Sequence, residues 1–269
     1  MSTITLADVA AYAKVSTATV SMVLRNRGRI SDETRKRVLS AIDHLGYVYN
    51  QTAANLRNRS SNQVGLLLHD ITNPFYAEMT AGLSQEMERH QLMLFLANSE
   101  ESADRQQKFV DSLLQNSASG MVLCAARQTP SLFFETLKRR KIPAIMVVRP
   151  VADAHFDFVG TDNFLGTQLA TQHLLDLGHR NIAFIGGSIN STTRAQRLGG
   201  YTSKLLERGI VVKGEWIVDS EASQSSGAKA AEQLLMAHPE ITAALCYQDI
   251  VALGVMQTLR KLERQIGRD

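Results

Sequence analysis

Cysteine is scarce in this chain: only Cys124 and Cys246 are present, far apart and in no metal-ligand spacing. That usage points to a reducing compartment and to no metal site. The start, MSTITLADVAAYAKV, lacks the basic and long apolar regions of an export signal. No run approaches the ~18 apolar residues that span a bilayer. These absences argue against export and membrane insertion and for a cytoplasmic protein. Catalytic signatures are missing too. The IGG at 185–187 lacks the G-x-G-x-x-G spacing of a dinucleotide site. The seven histidines include no H-x-x-x-H pair, and no G-x-S-x-G elbow occurs. Neither an enzyme nor a cofactor is expected.

What is present is a folded chain of 269 residues, 44% hydrophobic and 20% charged. At ~100–200 residues per domain this length implies two or three units. The net charge of +3 is unevenly placed. Residues 1–60 hold nine Lys/Arg against Asp8, Asp32, Glu33 and Asp43, a balance of +5, while the remainder is at −2. A basic head on a slightly acidic body fits a polyanion partner for the head, although a solvated helical face explains the same charges.

In the head, Thr5 and Asp8 form a near capping box, so a helix starts at Leu6 and carries Val9, Ala10 and Ala13 on one stripe. Ser16 caps a second helix through Val20, Val23 and Leu24. A third fits SDETRKRVLSAIDHLG, with Ser31 as N-cap, Gly46 as terminator and Val38, Leu39, Ile42 and Leu45 facing inward. Two short helices joined by a tight turn make a helix-turn-helix, whose second helix enters the major groove. Thr17, Ala18, Ser21 and Met22 then lie opposite Val20, Val23 and Leu24. Ser16, Thr19 and Ser21 suit phosphates or bases, and Ala18 and Met22 suit a thymine methyl. A three-helix bundle with no DNA role fits the same pattern.

The ordered set L-x-DVA-x-x-A-x-VS-x-x-TVS, IS-x-x-TR-x-RV, LGY and N-x-x-A-x-x-L resembles the DNA-binding head of the lac-repressor family and covers nearly all of it. The resemblance implies an operator-contacting set of Thr5, Leu6, Ser16, Thr17, Ala18, Thr19, Ser21, Met22, Asn26, Ser31, Tyr47, Asn50, Ala53, Leu56 and Arg57. Within it, residues of about 50–58 become a hinge helix that folds when two copies meet over the minor groove, with Leu56 as the wedge. A plain linker is the other reading of this stretch. Met22 departs from the family, which often has a guanine-reading Arg there; a thioether donates no hydrogen bond.

Beyond a flexible connection at 59–63, apolar runs at 64–70, 92–98, 120–126 and 144–149 alternate with helical patterns at 75–90, 102–116 and 130–140. FDFVGTDN (156–163) reads as a short crossing strand. The alternation restarts with a helix at 164–177, strand 182–187, helix 193–208, a strand near Trp216, helix 225–237, strand 243–247 and helix 249–263. Continuous apolar strands between amphipathic helices imply parallel sheets covered on both faces. Two α/β units in series bind ligands at the carboxyl ends of their strands.

The segments HDITNPFYAEMTAGL, GTDNFLGTQLATQHLLDLGHRNIAFIGG, RLGGY and CYQDIVALGVM resemble the same family's body, which is similar to periplasmic sugar-binding proteins; TRAQRLGGY is most like repressors of maltose-type regulons. The expected organisation is an all-α head (1–58), an N-subdomain (64–161) and a C-subdomain (162–269), both doubly wound. Only three strands are read in the second, against a typical ~4–6 per sheet. The C-subdomain is therefore expected to be incomplete, as in a family member cut before its last segments. Asp70, Phe75, Arg149, Asp162, Arg194, Arg197, Gln248 and Asp249 fall where a cleft ligand would sit, and for each a helix cap or a loop ion pair is the plainer role. The family's Arg before L-x-G-Y aligns with Arg197, and Arg194 is one residue off the usual spacing. The expected function is that of a regulator, a repressor of a carbohydrate-utilisation operon. It would bind a palindromic double-stranded operator as a homodimer under a sugar or sugar-phosphate effector, at the bacterial nucleoid. Two alternatives stand beside it: a truncated regulator with no competent effector response, and a sugar-binding protein with no DNA role.

Overall fold

The computed structural model describes residues 4–48, 61–151 and 155–268. Asn50, Ala53, Leu56 and Arg57, with the rest of the expected hinge, lie outside the described residues. The chain divides into two compact units, Met1–Ser61 and Asn62–Asp269.

The head holds α1 (Leu6–Tyr12), α2 (Thr17–Leu24) and α3 (Asp32–Leu45). Each start is fixed by a hydroxyl that accepts from a backbone N–H of the first helical turn. Thr5 Oγ1 accepts from Asp8 N at 3.3 Å while Asp8 Oδ2 accepts from Thr5 N at 2.8 Å, closing the capping box. Ser16 and Ser31 accept from Thr19 N (3.1 Å) and Thr34 N (3.3 Å). Gly46 ends α3 in the left-handed region, at φ +63°. Val9, Val20, Val38 and Ala41 are fully buried where the three helices meet. Arg37 ties α3 to the turn before α2 by donating to Ala13 O at 3.1 Å. Leu39, expected inside, is 51% exposed. The inner stripe of α3 runs Val38, Ala41, Ile42, Leu45, and Leu39 sits one residue off it.

The body carries two parallel sheets. The first contains β1 (Gln63–Leu68), β2 (Met93–Asn98), β3 (Gly120–Leu123), β4 (Ala144–Val147) and β5 (Asp157–Val159), in the order β2-β1-β3-β4-β5. Its helices are α4 (Pro74–Arg89), α5 (Ala103–Gln115) and α6 (Ser131–Arg139), followed by α7 (Asn163–Asp176). The second contains β6 (Ile182–Ile185), β7 (Ile217–Val218) and β8 (Ala243–Cys246), in the order β7-β6-β8, with α8 (Thr192–Glu207), α9 (Gln224–Ala237) and α10 (Asp249–Lys261). Among the described residues no helix is long and apolar enough to cross a membrane.

The period of two along β1 sends Leu66 and Leu68 to one face, against Tyr76, and Leu67 to the other, with Val110 and Leu113. Gly65 faces Leu113, whose Cδ1 would lie 2.1 Å from any added Cβ. Likewise α9 and α10 meet backbone to backbone: a Cβ on Gly254 would lie 2.0 Å from Gln224 O.

The expectation of strands covered on both faces fails at the edges. On β2, Met93, Phe95 and Leu96 are exposed, and on β5 so are Phe158 and Val159. Both are edge strands, so apolar sequence alone did not place them in the interior. The segment at 156–163 forms a strand over only three residues. The strand expected near Trp216 is the two-residue β7, and Trp216 itself lies in the 3₁₀ turn (Gly214–Trp216) just before it.

Candidate DNA-reading helix and ligand cleft

In the head, Thr17 and Ala18 are exposed at the start of α2, and Ser16 is exposed beside them as its cap. Thr19 is half-buried, and its Oγ1 lies 2.9 Å from Ser16 Oγ. Ser21, expected on the exposed side, is instead buried at 6% exposure. The side of α2 that meets α1 and α3 is wide enough to take it in along with Val20, and its Oγ accepts from Arg25 Nη2 at 2.5 Å. Met22 is half-buried against the turn at Gly28, where an added Cβ would lie 3.0 Å from Met22 Sδ. Thr5 and Ser31 serve as helix caps, and Leu6 and Tyr47 pack onto the head core. Asn26, at φ +50°, accepts from Arg35 Nη1 at 2.9 Å.

In the body, parallel pairing collects the carboxyl ends of all strands of a sheet on one side. There a cleft of about 1330 Å³ opens, lined by residues that follow the strands of both sheets. Asp70, Phe75, Arg149, Asp162, Arg197, Gln248 and Asp249 all line it. Asp70 closes a turn, accepting from Thr72 N (3.0 Å) and Thr72 Oγ1 (2.6 Å). Asp162 caps α7 by accepting from Leu165 N at 2.9 Å. Phe75 is 48% exposed at the start of α4. Arg197 Nε donates to Asn163 Oδ1 at 2.9 Å, Nη1 donates to Tyr247 O, and the guanidinium lies 5.0 Å from the Tyr247 ring centre. Burial lowers the Arg197 pKa. Arg194 departs from expectation. It is buried at 7% exposure, its Nε donates to Gly186 O at 3.1 Å, and it does not line the cleft. Three residues earlier on α8 than Arg197, it turns inward over Phe184.

Arg149 lines the cleft but is already engaged. It grips Glu101 with Nη2–Oε1 at 2.6 Å and Nη1–Oε2 at 3.0 Å, and Nη2 also donates to His69 Nε2 at 2.9 Å. Because His69 Nε2 accepts, the ring proton sits on Nδ1, aimed at Cys124 Sγ 3.4 Å away. Tyr76 closes the group, its hydroxyl 3.2 Å from His69 Nε2. Burial, helped by the Arg149 charge, pushes the His69 pKa down to about 4. Burial opposes ionisation of Glu101, yet hydrogen bonds from Arg149 and the Arg127 backbone hold its pKa at about 2. Burial pushes the Cys124 thiol up to about 11. This network ties together the ends of β1, β3 and β4, and sequence reasoning missed all of it but Arg149. No motif marks Glu101, which comes from a turn with φ +60°. Asn73, also missed, carries a legible signal, an Asn directly before the Pro that opens α4. Among the described residues no group of His, Cys, Asp and Glu could hold a metal ion.

A helix-turn-helix head followed in the same chain by an α/β body with a ligand-sized cleft defines a DNA-binding regulator that carries its own ligand-binding domain. Residues 5–50 match "Bacterial regulatory proteins, lacI family", and residues 61–269 match "Periplasmic binding proteins and sugar binding domain of LacI family". The chain belongs to the lacI family of bacterial transcriptional regulators. It is 38% identical over 264 residues to the maltose regulon regulatory protein MalI of Escherichia coli (strain K12), covering 98% of this chain and 77% of that protein. Its fold is similar to the lac repressor bound to ONPG in the repressed state, with TM-score 0.86 and 25% identity over 100% of this chain and 81% of that one. A structure of the regulator CelR in complex with cellobiose gives TM-score 0.70 and 27% identity over 99% and 80%. These relatives are transcriptional regulators, not enzymes.

Proposed function

We propose that this chain represses a carbohydrate-utilisation operon in the bacterial cytoplasm, at the nucleoid. It binds a palindromic operator as a homodimer and changes its DNA affinity when a sugar or sugar phosphate fills the cleft. The observation that carries this reading is the pairing, in one chain, of an exposed α2 start with a cleft that gathers Asp, Arg and Gln side chains beside Phe75. Thr17 and Ala18 meet base edges, and Ser16, Thr19 and Ser31 take phosphates. Asp70, Asp162, Arg197, Gln248 and Asp249 bond sugar hydroxyls, Phe75 covers an apolar ring face, and Arg149 holds the cleft floor. The exposed apolar edge at Met93, Phe95 and Leu96 offers a second copy a surface to cover. The operator head is residues 1–58, and the cleft runs between 64–161 and 162–269. MalI is named for a maltose regulon and CelR is seen with cellobiose, which supports a carbohydrate effector here. The test is selection of bound sites from random DNA, then fluorescence anisotropy on the selected site with and without sugars. A two-fold symmetric site, affinity falling steeply with salt, and release by a sugar are expected. Salt-insensitive binding with no recovered site would overturn the reading.

A further inference from the structure

The cleft sorts its charges into paired and unpaired groups. Glu100 lies 2.6 Å from Arg105, and Glu101 is held by Arg149 and Arg127. Asp70, Glu78, Asp162, Glu221 and Asp249 also line the cleft, and none of these five forms an ion pair among the described residues. Among the described residues that line the cleft, Arg197 is the one guanidinium outside any ion pair, with only the charge of nearby Asp249 acting on it, and no lysine is among them.

Helix starts are the usual places for a phosphate, because their N–H groups and dipoles favour an anion. The protein's own groups already hold these places here. Asp162 caps α7, Asp249 stands in the first turn of α10, and Pro74 removes a donor from α4. Ser191 and Ser223 cap α8 and α9. Arg194, the cation that would strengthen an anion site at α8, is turned inward onto Gly186 O.

From this balance we infer that the effector is an uncharged polyhydroxylated ring compound, a neutral mono- or oligosaccharide, and that the cleft discriminates against its phosphate esters. The inference rests on the reading of the cleft as an effector site. A hydroxyl donates as well as accepts, so a neutral sugar can satisfy Asp70, Asp162 and Asp249 as a donor and Arg197 as an acceptor. A phosphate dianion only accepts, and meets carboxylates that also only accept. At the partly screened separations of a cleft, such like-charge contacts are worth about a factor of ten or more in affinity.

Isothermal titration of the full chain with glucose, maltose, glucose 6-phosphate, maltose 6-phosphate and inorganic phosphate tests this. A neutral sugar should bind, its 6-phosphate should bind about tenfold more weakly or worse at low salt, and raising salt should narrow the gap as the field is screened. Asp162→Asn and Asp249→Asn should narrow it as well; if either variant misfolds, the salt titration on the unaltered chain still decides. Equal or tighter binding of the ester, or a gap indifferent to salt, would overturn the inference while leaving a sugar effector in place. Failure of every sugar, neutral or phosphorylated, while symmetric operator binding persists would instead remove the sugar-effector reading, and this inference with it.

Discussion

Asn73 Nδ2 donates across the cleft to Gln248 Oε1 at 3.2 Å, while Asn73 Oδ1 accepts from Phe75 N at 3.1 Å. One side chain therefore caps α4 and links its N-cap position to the residue that directly precedes α10. The link predicts an energetic coupling. In a double-mutant cycle of Asn73→Ala and Gln248→Ala, followed by urea unfolding, the two losses should fall short of additivity by ~0.5–1.5 kcal/mol. Asn73→Asp should keep the cap and reverse the link, since Gln248 Nε2 is then the only donor of the pair. Strict additivity would mean that the amide pair is not held in solution.

The His69 network predicts a pH dependence of stability. The unfolded chain takes up a proton on His69 near its ordinary pKa of 6.5, and the folded chain resists until about 4. The stability that this represents is complete above pH 6.5 and declines as pH falls toward 4, by at most ~3 kcal/mol. Glu101 adds a second loss lower down, between its ordinary 4.5 and about 2. Thermal melts across this range should show the decline. His69→Gln, which keeps an acceptor for Arg149, should flatten the part between 6.5 and 4. A melting temperature with the same slope in the variant would place the titrating group elsewhere.

Arg197 holds Asn163 and Tyr247 with two different nitrogens. Lysine retains the charge but cannot span both acceptors. Arg197→Lys should weaken sugar binding by ~1.5–3 kcal/mol in calorimetry, the size of a hydrogen bond to a charged group. Operator binding measured without sugar depends on the head and should persist. A variant that binds sugar as the parent does would take Arg197 out of the effector contacts.

Met22 is half-buried, with its Sδ beside the turn at Gly28. Met22→Arg adds a longer side chain whose guanidinium reaches past that turn. Site selection with the variant should gain a guanine at one symmetric pair of positions, with ~1–3 kcal/mol of discrimination. An unchanged site would mean that position 22 packs against the head and does not read bases.

Helix starts were legible because local chemistry writes them: Thr5, Ser16 and Ser31 each precede an apolar period and each caps a helix. The cleft position was legible because parallel strands bring their ends together. Ser21 and Leu39 were misread because a helix stripe has a width, and a residue one position off it goes in or out according to what packs beside it. Arg194 and Arg197 look alike in sequence; three residues of helix send one inward and the other into the cleft. Glu101 was invisible because its role depends on Arg149, which lies 48 residues away and meets it only after β4 has paired with β3.

The span of the Asn73–Gln248 contact, 175 residues, also sets an order in time. The head closes on contacts as short as Arg37 to Ala13, 24 residues apart. Synthesis proceeds from the N-terminus, and domains fold as units as they emerge. The helices that read DNA can therefore be complete while the sugar cleft still lacks its second wall. A chain in that state has an operator-binding surface and nothing for an effector to act on, so responsiveness is acquired later in synthesis than binding.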